Sequence, residues 1–449
     1  MLNQEEVKIE LDPVAIISND LFSHRWKKIS LKFSFTMSWL LLFTTITTLV
    51  LQTPMSYKLM SRKLRQSPTR AYSTTGYEFI DSGGYKRLET FAGTNVARSC
   101  PSASWPTGTA LIHNKDMVCY DGSSGKAGVW QNLQLLPANW QVTFDISSPE
   151  EEEEEGSTFA SIVFTLSASD LGQVGVFPEQ HANWRWIRRT LRATSTPRVS
   201  SSSSSSSKPL PRKVLNGFAY TGGSTMAALS AGNVQVVHLD AAKSLVQWAT
   251  RNALASGLYA PPSEVDKARS SDSSSSGSSS AGTRAVRWIT DDCVTFLERE
   301  VRRGNRYDGL IFDPPAFGRG GSGKIWKLEN DLPILVDTLI PQLLSDDPTF
   351  VLLSCHDVDW PPSRLAQLLR AAVVKKAASA GSGWLDGRVW DKDRGGLSSN
   401  DGELQSLTLC GGILECGPMV LMPDDTATAT SRTGRPLPLG GFARWRCVS

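Results

Sequence analysis

From residue 213 onward one unit recurs: a short apolar run, a turn, then a longer amphipathic stretch. Residues 213–218, 234–239, 285–289, 307–312 and 349–354 have the length and composition of buried strands. Residues 224–231, 241–256, 293–303 and 332–344 predict the helices between them. Strand and helix in alternation are the signature of an α/β layer with a parallel sheet, and five such strands predict an open, doubly wound one. In that architecture a ligand sits outside the carboxyl ends of the strands, near the point where strand order reverses. The residues that follow each apolar run are therefore the ones to read for chemistry.

Upstream, residues 78–146 read as short strands punctuated by Gly, Pro, Asn and Asp, which predicts a small β-rich domain. Low-complexity stretches interrupt the chain: six acids at 150–155, eight Ser at 200–207, a Ser-rich run at 270–280 and a Gly/Ser/Asp-rich segment at about 377–406. None buries enough apolar surface to offset its ordering entropy, so each is expected as a solvated loop or linker. The expected organisation is a targeting or anchoring segment at 1–72, the β-rich domain at 73–192, a Ser-rich linker at 193–212 and the α/β domain at 213–449.

The charge of +3 is unevenly spread. Residues 1–72 hold ten basic and five acidic side chains, which leaves the body at −2 and excludes a basic nucleic-acid clamp by bulk charge. Residues 33–57 are free of charge and long enough to span a bilayer. Yet 21–77 has nine Lys or Arg and no acid, the composition of a transit segment, and Arg70-Ala71-Tyr72-Ser73 resembles a mitochondrial processing site. The expectation is a mitochondrial location, with a membrane anchor through 33–57 or a misassigned start as alternatives. Seven Cys without a CxxC pair suit a reducing compartment, and neither Cys nor His has metal-ligand spacing, so no metal is expected.

Chemistry concentrates at the strand ends. The first exit reads Gly217-Phe218-Ala219-Tyr220-Thr221-Gly222-Gly223, where adjacent Gly permit positive φ and close approach of a ligand. A G-x-G-x-x-G is absent, which disfavours NAD and FAD. Asp240 closes the second strand and is placed to accept from ribose hydroxyls. Ribose recognition without pyrophosphate recognition points to S-adenosyl-L-methionine. Asp291 and Asp292 follow the third strand, where an acid can accept from an adenine amino group or cap the next helix. The fourth strand delivers Asp313, and Pro314 and Pro315 rigidify the turn that leads to Phe317. Arg319, Lys324 and Trp326 beside it are compatible with contacts to a nucleic acid. Cys355 ends the fifth strand beside His356, as a buried thiol or as a nucleophile.

These residues together resemble the class I S-adenosylmethionine-dependent methyltransferases. The resemblance rests on 214–216 through Tyr220-Thr221-Gly222-Gly223, Asp240-Ala241-Ala242-Lys243 and Trp288-Ile289-Thr290-Asp291-Asp292. Asp313-Pro314-Pro315-Ala316-Phe317-Gly318 and Trp326-Lys327-Leu328-Glu329 narrow it to the bacterial-type group related to the large-subunit rRNA cytosine-5 methyltransferases. Phe177-Pro178-Glu179-Gln180 with Trp184 is similar to the segment before the catalytic domain in short members. The resemblance implies a Rossmann-like sheet of seven strands with an antiparallel last hairpin, drawn from 407–414 and 442–446. It implies that Tyr220 to Gly223 cradle the methionine part, Asp240 holds the ribose, Asp292 the adenine, and Asp313 to Phe317 face the acceptor, an rRNA base. Cys355 lies where cytosine-5 enzymes carry a fifth-strand Cys. Gly217 departs from the pattern, which has a larger apolar residue there. Two other readings stay open: a silent S-adenosylmethionine-binding protein, and transfer to an acceptor other than RNA.

Overall fold

A computed structural model describes residues 74–107, 111, 116–122, 127–147, 160–194, 210–261, 285–319, 325–379, 402–423 and 435–448. The expected targeting or anchoring segment, Lys324, the six-acid run and both Ser-rich runs lie outside them. Among the described residues no helix is long and apolar enough to cross a membrane. All of them belong to one contact unit, Thr69–Ser449.

The chain opens with strands β1 (Thr74–Thr75), β2 (Tyr77–Gly83), β3 (Lys86–Phe91), β4 (Thr94–Ser99), β5 (Val118–Asp121), β6 (Val129–Gln131), β7 (Gln141–Asp145) and β8 (Ser161–Thr165). Five of them form a sheet in the order β2-β3-β4-β5-β6, and three form a second, β1-β7-β8. Helix α1 (His181–Ala193) follows a 3-10 turn at Pro178–Gln180. The alternating part then runs β9 (Arg212–Gly217), α2 (Gly223–Leu229), β10 (Val234–Asp240), α3 (Lys243–Ala255), β11 (Val286–Thr290), α4 (Cys293–Arg302) and β12 (Gly309–Phe312). A two-stranded hairpin, β13 (Phe317–Arg319) with β14 (Ile325–Lys327), precedes α5 (Leu328–Ile334) and α6 (Ile340–Leu343). Last come β15 (Phe350–Cys355), α7 (Pro362–Ser379), β16 (Gln405–Leu409), β17 (Gly412–Leu421) and β18 (Leu437–Cys447).

The large sheet has the order β11-β10-β9-β12-β15-β18-β17-β16. Its first five strands are parallel and the last three pair antiparallel. The sheet thus holds eight strands rather than seven. Residues 407–414 are not one strand: they run from β16 through a tight turn at Cys410-Gly411, both at positive φ, into β17. The additional edge strand covers β17, whose alternate residues would otherwise leave a long open edge.

Period-two alternation decides what each face buries. Val214, Val236, Phe350 and Leu352 point to one side, with α1, α2 and the β7–β8 residues Val142, Phe144, Ile162 and Phe164. Leu215, Leu310, Phe312, Val351 and Leu353 point to the other, against α4 to α7. The N-terminal module and the large sheet therefore share an apolar core, each buried Val, Leu or Phe contributing about 1.5–3 kcal/mol.

The expected helix at 332–344 is broken by one π turn, Leu335–Leu339. Pro341 explains it, since its ring cannot sit against the carbonyl of residue 337 in a regular α-helix. That carbonyl accepts instead from Lys375 Nζ at 3.0 Å.

Gly217, the departure noted above, sits in a filled position. A Cβ there would lie 2.9 Å from Cys293 Sγ and from the Phe312 ring. Neighbouring side chains have taken the volume that a larger residue would occupy. Gly217→Val is expected to lower stability by about 1–3 kcal/mol through overpacking, read as a lower urea midpoint at unchanged slope.

Candidate functional site

Strand order reverses between β9 and β12, and the cleft opens at their carboxyl ends. It is a shallow, open cleft lined by Asn216, Phe218 to Ser224 and Asp313 on one side, with Phe164, Phe177, Gln180 and Trp184 on the other. The second group comes from the N-terminal module and α1, so the site is assembled from both parts of the chain.

The turn after β9 alternates in hand. Phe218 has φ 56°, Tyr220 φ 48° and Gly222 φ 91°. Two non-Gly residues in the left-handed region carry strain that surrounding contacts must hold. Asp240 supplies them: its Oδ2 accepts the Tyr220 amide and its Oδ1 the Ala242 amide, both at 2.9 Å. Burial pushes the Asp240 carboxyl up, and these backbone donors offset part of the effect. A half-buried carboxylate with lone pairs to spare suits a hydroxyl-bearing ligand. Thr221 faces away, donating through Oγ1 to the Gly175 carbonyl at 2.7 Å.

The two glycines have different tasks. Gly222 provides positive φ, whereas a Cβ on Gly223 would strike the Trp184 ring at 2.6 Å. The pair is therefore set by close approach of α1 as much as by ligand.

Asp240, Asp291 and Asp292 are not among the residues that line the cleft; Asp240 lies behind the turn it braces. Asp291 pairs with Arg299. Asp292 caps α4, its Oδ1 accepting the Thr295 amide at 2.9 Å and hydroxyl at 2.7 Å. The capping reading is the one realised; Asp292 Oδ2 has no bond of this kind.

Asp313 emerges from the fully buried strand β12. Pro314 is buried and Pro315 exposed, and Trp326 Nε1 donates to the Pro315 carbonyl at 2.8 Å. Trp326 is itself 6% exposed and packs on Phe218 at 4.8 Å between centroids, so it braces the turn rather than presenting a stacking face. Phe317 stands 54% exposed at the start of the hairpin. Asp313 Oδ2 accepts from Gln180 Nε2 at 2.9 Å, while its buried Oδ1 has no hydrogen-bond partner among the described residues. Gln180 Nε2 also donates to Ser354 Oγ at 3.0 Å, and Asn183 donates to Gln180 Oε1 at 2.8 Å.

Of the two readings of Cys355, the structure favours the buried thiol. It is completely buried, and its Sγ accepts the Asp357 amide at 3.3 Å. Burial pushes the thiol up to about 12, so it stays protonated near neutrality, and only the thiolate attacks. Its neighbour His356 turns instead to Asp313, Nε2 lying 3.5 Å from Oδ2. Phe177, Gln180, Trp184 and His356 are functional candidates to which sequence reasoning gave no role of their own. The similarity at 177–180 with Trp184 is the signal that points to three of them.

Among the described residues no group of three His, Cys, Asp or Glu comes together as a metal site. No family model matches the chain. The crystal structure of the S-adenosylmethionine-dependent methyltransferase from Agrobacterium tumefaciens aligns over 84% of this chain and 92% of its own, with TM-score 0.59 and 24% identity. The fold is that of a class I S-adenosylmethionine-dependent methyltransferase. Curated relatives in sequence include ribosomal RNA large subunit methyltransferase I of Tolumonas auensis, 26% identical over 170 residues, 38% of this chain and 35% of that one. Ribosomal RNA large subunit methyltransferase I of Escherichia coli is 26% identical over 144 residues, 32% of this chain and 30% of its own. Methyltransferase K/L of Methylococcus capsulatus is 31% identical over 106 residues, 24% of this chain and 11% of its own. The chain's matches thus span about a third or less of these relatives.

Proposed function

We propose that this protein transfers the methyl group of S-adenosylmethionine to an RNA base, at an atom that brings its own lone pair. One observation carries the reading: at the switch point, an Asp240-braced turn faces an Asp313 carboxylate whose Oδ1 is buried and unpaired. The class I fold and the rRNA methyltransferases among the relatives support donor and acceptor.

The residues around the switch point suit the donor's chemistry. Asp240 would hold ribose hydroxyls and the backbone from Tyr220 to Gly223 the methionine part, while Asp291 and Asp292 are engaged by Arg299 and by the α4 cap. Bound there, S-adenosylmethionine supplies an electrophilic methyl on a sulfonium. The chain's part is positioning: Pro314 and Pro315 fix the turn, and Asp313 Oδ1 accepts a hydrogen bond from an exocyclic N–H. That bond would aim the nitrogen lone pair at the methyl and stabilise the positive charge that grows on nitrogen during transfer, and the same carboxylate would take the N–H proton that the methylated nitrogen sheds. Carbon-5 of a pyrimidine would first need attack by a thiolate, and the buried, protonated Cys355 disfavours that route. The acid-free segment 21–77 supports mitochondrial delivery, which import of a fusion carrying residues 1–77 would test.

Calorimetric titration of the whole chain with S-adenosylhomocysteine is the first test. Asp240→Ala removes hydrogen bonds to a charged acceptor, so affinity is expected to fall roughly 10–100-fold. A folded chain that binds no S-adenosylhomocysteine overturns the assignment.

A further inference from the structure

His356 stands where three elements meet, and its polar partners among the described residues are all acceptors. Nε2 faces Asp313 Oδ2 at 3.5 Å, while Nδ1 faces the Leu439 carbonyl at 3.0 Å and Glu179 Oε1 at 3.6 Å. A neutral imidazole carries one N–H and would leave a lone pair pointing at an acceptor on one side. The surroundings therefore call for two N–H donors, which is the imidazolium. Phe177 packs against the ring, centroids 4.9 Å apart at 36°, and its own ring lies 5.1 Å from Tyr220 of the β9 turn.

Building on the methyltransferase reading, we propose that His356 is a positioning residue, a charged latch between Asp313 of the large sheet and Glu179 of the N-terminal module. With Gln180 of the module it holds Asp313 by Oδ2 and leaves the buried Oδ1 without a hydrogen-bond partner among the described residues. Glu179 is held in turn by Arg87 of β3, whose Nη1 lies 3.7 Å from Oε1. The acceptor face of the cleft is thus complete only when the module is docked, which gives the β-rich part of the chain a role in catalysis beyond covering the sheet.

Charge on the ring follows from the same contacts. Desolvation of the ring, whose side chain is 28% exposed, opposes it, but Asp313 first and Glu179 next outweigh that and lift His356 to about 9. The latch is closed below that pH and opens as pH rises through it.

The test uses the full chain labelled with 13C in its five His and titrated by NMR, the His356 signal being the one absent from His356→Gln. The signal is expected to titrate near 9, and to fall by about one unit or more in Asp313→Asn and in Glu179→Gln. S-adenosylhomocysteine affinity should stay within about twofold in His356→Gln, because the latch lies on the acceptor side. With an unmodified large-subunit rRNA transcript as acceptor, kcat should drop about tenfold or more in His356→Gln and be rescued by His356→Lys. A wild-type signal near 6.5, or wild-type kcat in His356→Gln, overturns the latch. Absence of S-adenosylhomocysteine binding strikes the methyltransferase reading instead. A chain that binds it but leaves the transcript unmethylated strikes the RNA reading, and the titration then decides the latch alone.

Discussion

Asp313→Ala is expected to lower kcat for methyl transfer by about 10²–10³-fold while leaving S-adenosylhomocysteine affinity within about twofold. The asymmetry follows from where the side chain stands. Asp313 follows the wholly buried β12, and its hydrogen bond comes from Gln180 of the module and its ion-pair contact from His356 beyond β15, whereas the donor's turn is braced by Asp240. Removing it deletes an interaction made as charge develops on the acceptor and spares the donor's turn. Cys355→Ala is the paired control. Its thiol is covered and held protonated, so retained transfer to within a few-fold is the expected result. Radiolabel transfer from S-adenosylmethionine into rRNA transcript measures both. Loss of transfer in Cys355→Ala with a folded chain would restore a covalent route; full activity in Asp313→Ala would remove the acceptor role.

How much of this was legible beforehand depends on whether local sequence or distant packing decides each feature. The parallel strands were read to within two residues at either end, because central strands are written as apolar runs with turn residues at their ends. The Asp313 turn was equally plain, since two Pro after a buried strand admit few conformations. By contrast, the second glycine of the β9 turn was read as making room for a ligand. It makes room for Trp184, 39 positions earlier in the chain, and periodicity carries no such information. Trp326 reads in sequence as compatible with nucleic-acid contact because it lies beside the Asp313 turn, but its ring is 6% exposed and its indole N–H is spent on the Pro315 carbonyl. Cys355 and His356 were paired on paper because they are adjacent. In a strand, adjacent residues point to opposite faces, so Cys355 enters the core while His356 meets Asp313 beyond the strand end. The eighth strand was missed because the Cys410-Gly411 turn is short enough to be read through.

Glu89→Gln is expected to cost about 3–5 kcal/mol of unfolding free energy, the largest stability effect in the molecule's described charge pairs. Glu89 is fully buried on β3 between two buried arginines. Arg98 grips it with Nε to Oε2 at 2.7 Å and Nη2 to Oε1 at 3.2 Å, Arg87 Nε lies 3.2 Å from Oε2, and Tyr77 donates to Oε1 at 3.1 Å. Burial alone would raise the carboxyl, but Arg87 and then Arg98 outweigh it and hold Glu89 below its ordinary range. A depressed folded value means the contribution is fully present above the unfolded value of 4.5 and is lost as pH falls through the folded one. Urea unfolding should therefore show the wild type shedding stability below pH 4.5, with a flatter acid limb in Glu89→Gln. A cost under about 1 kcal/mol at neutral pH would sink this account, because neutralising the one carboxylate between two buried guanidinium groups leaves both undercompensated. The consequence reaches the cleft. Arg87 released from Glu89 is free to draw Glu179 towards itself and away from His356, so the variant should also lower the His356 titration. A change made on the β-rich side would then be felt at Asp313, as the latch requires.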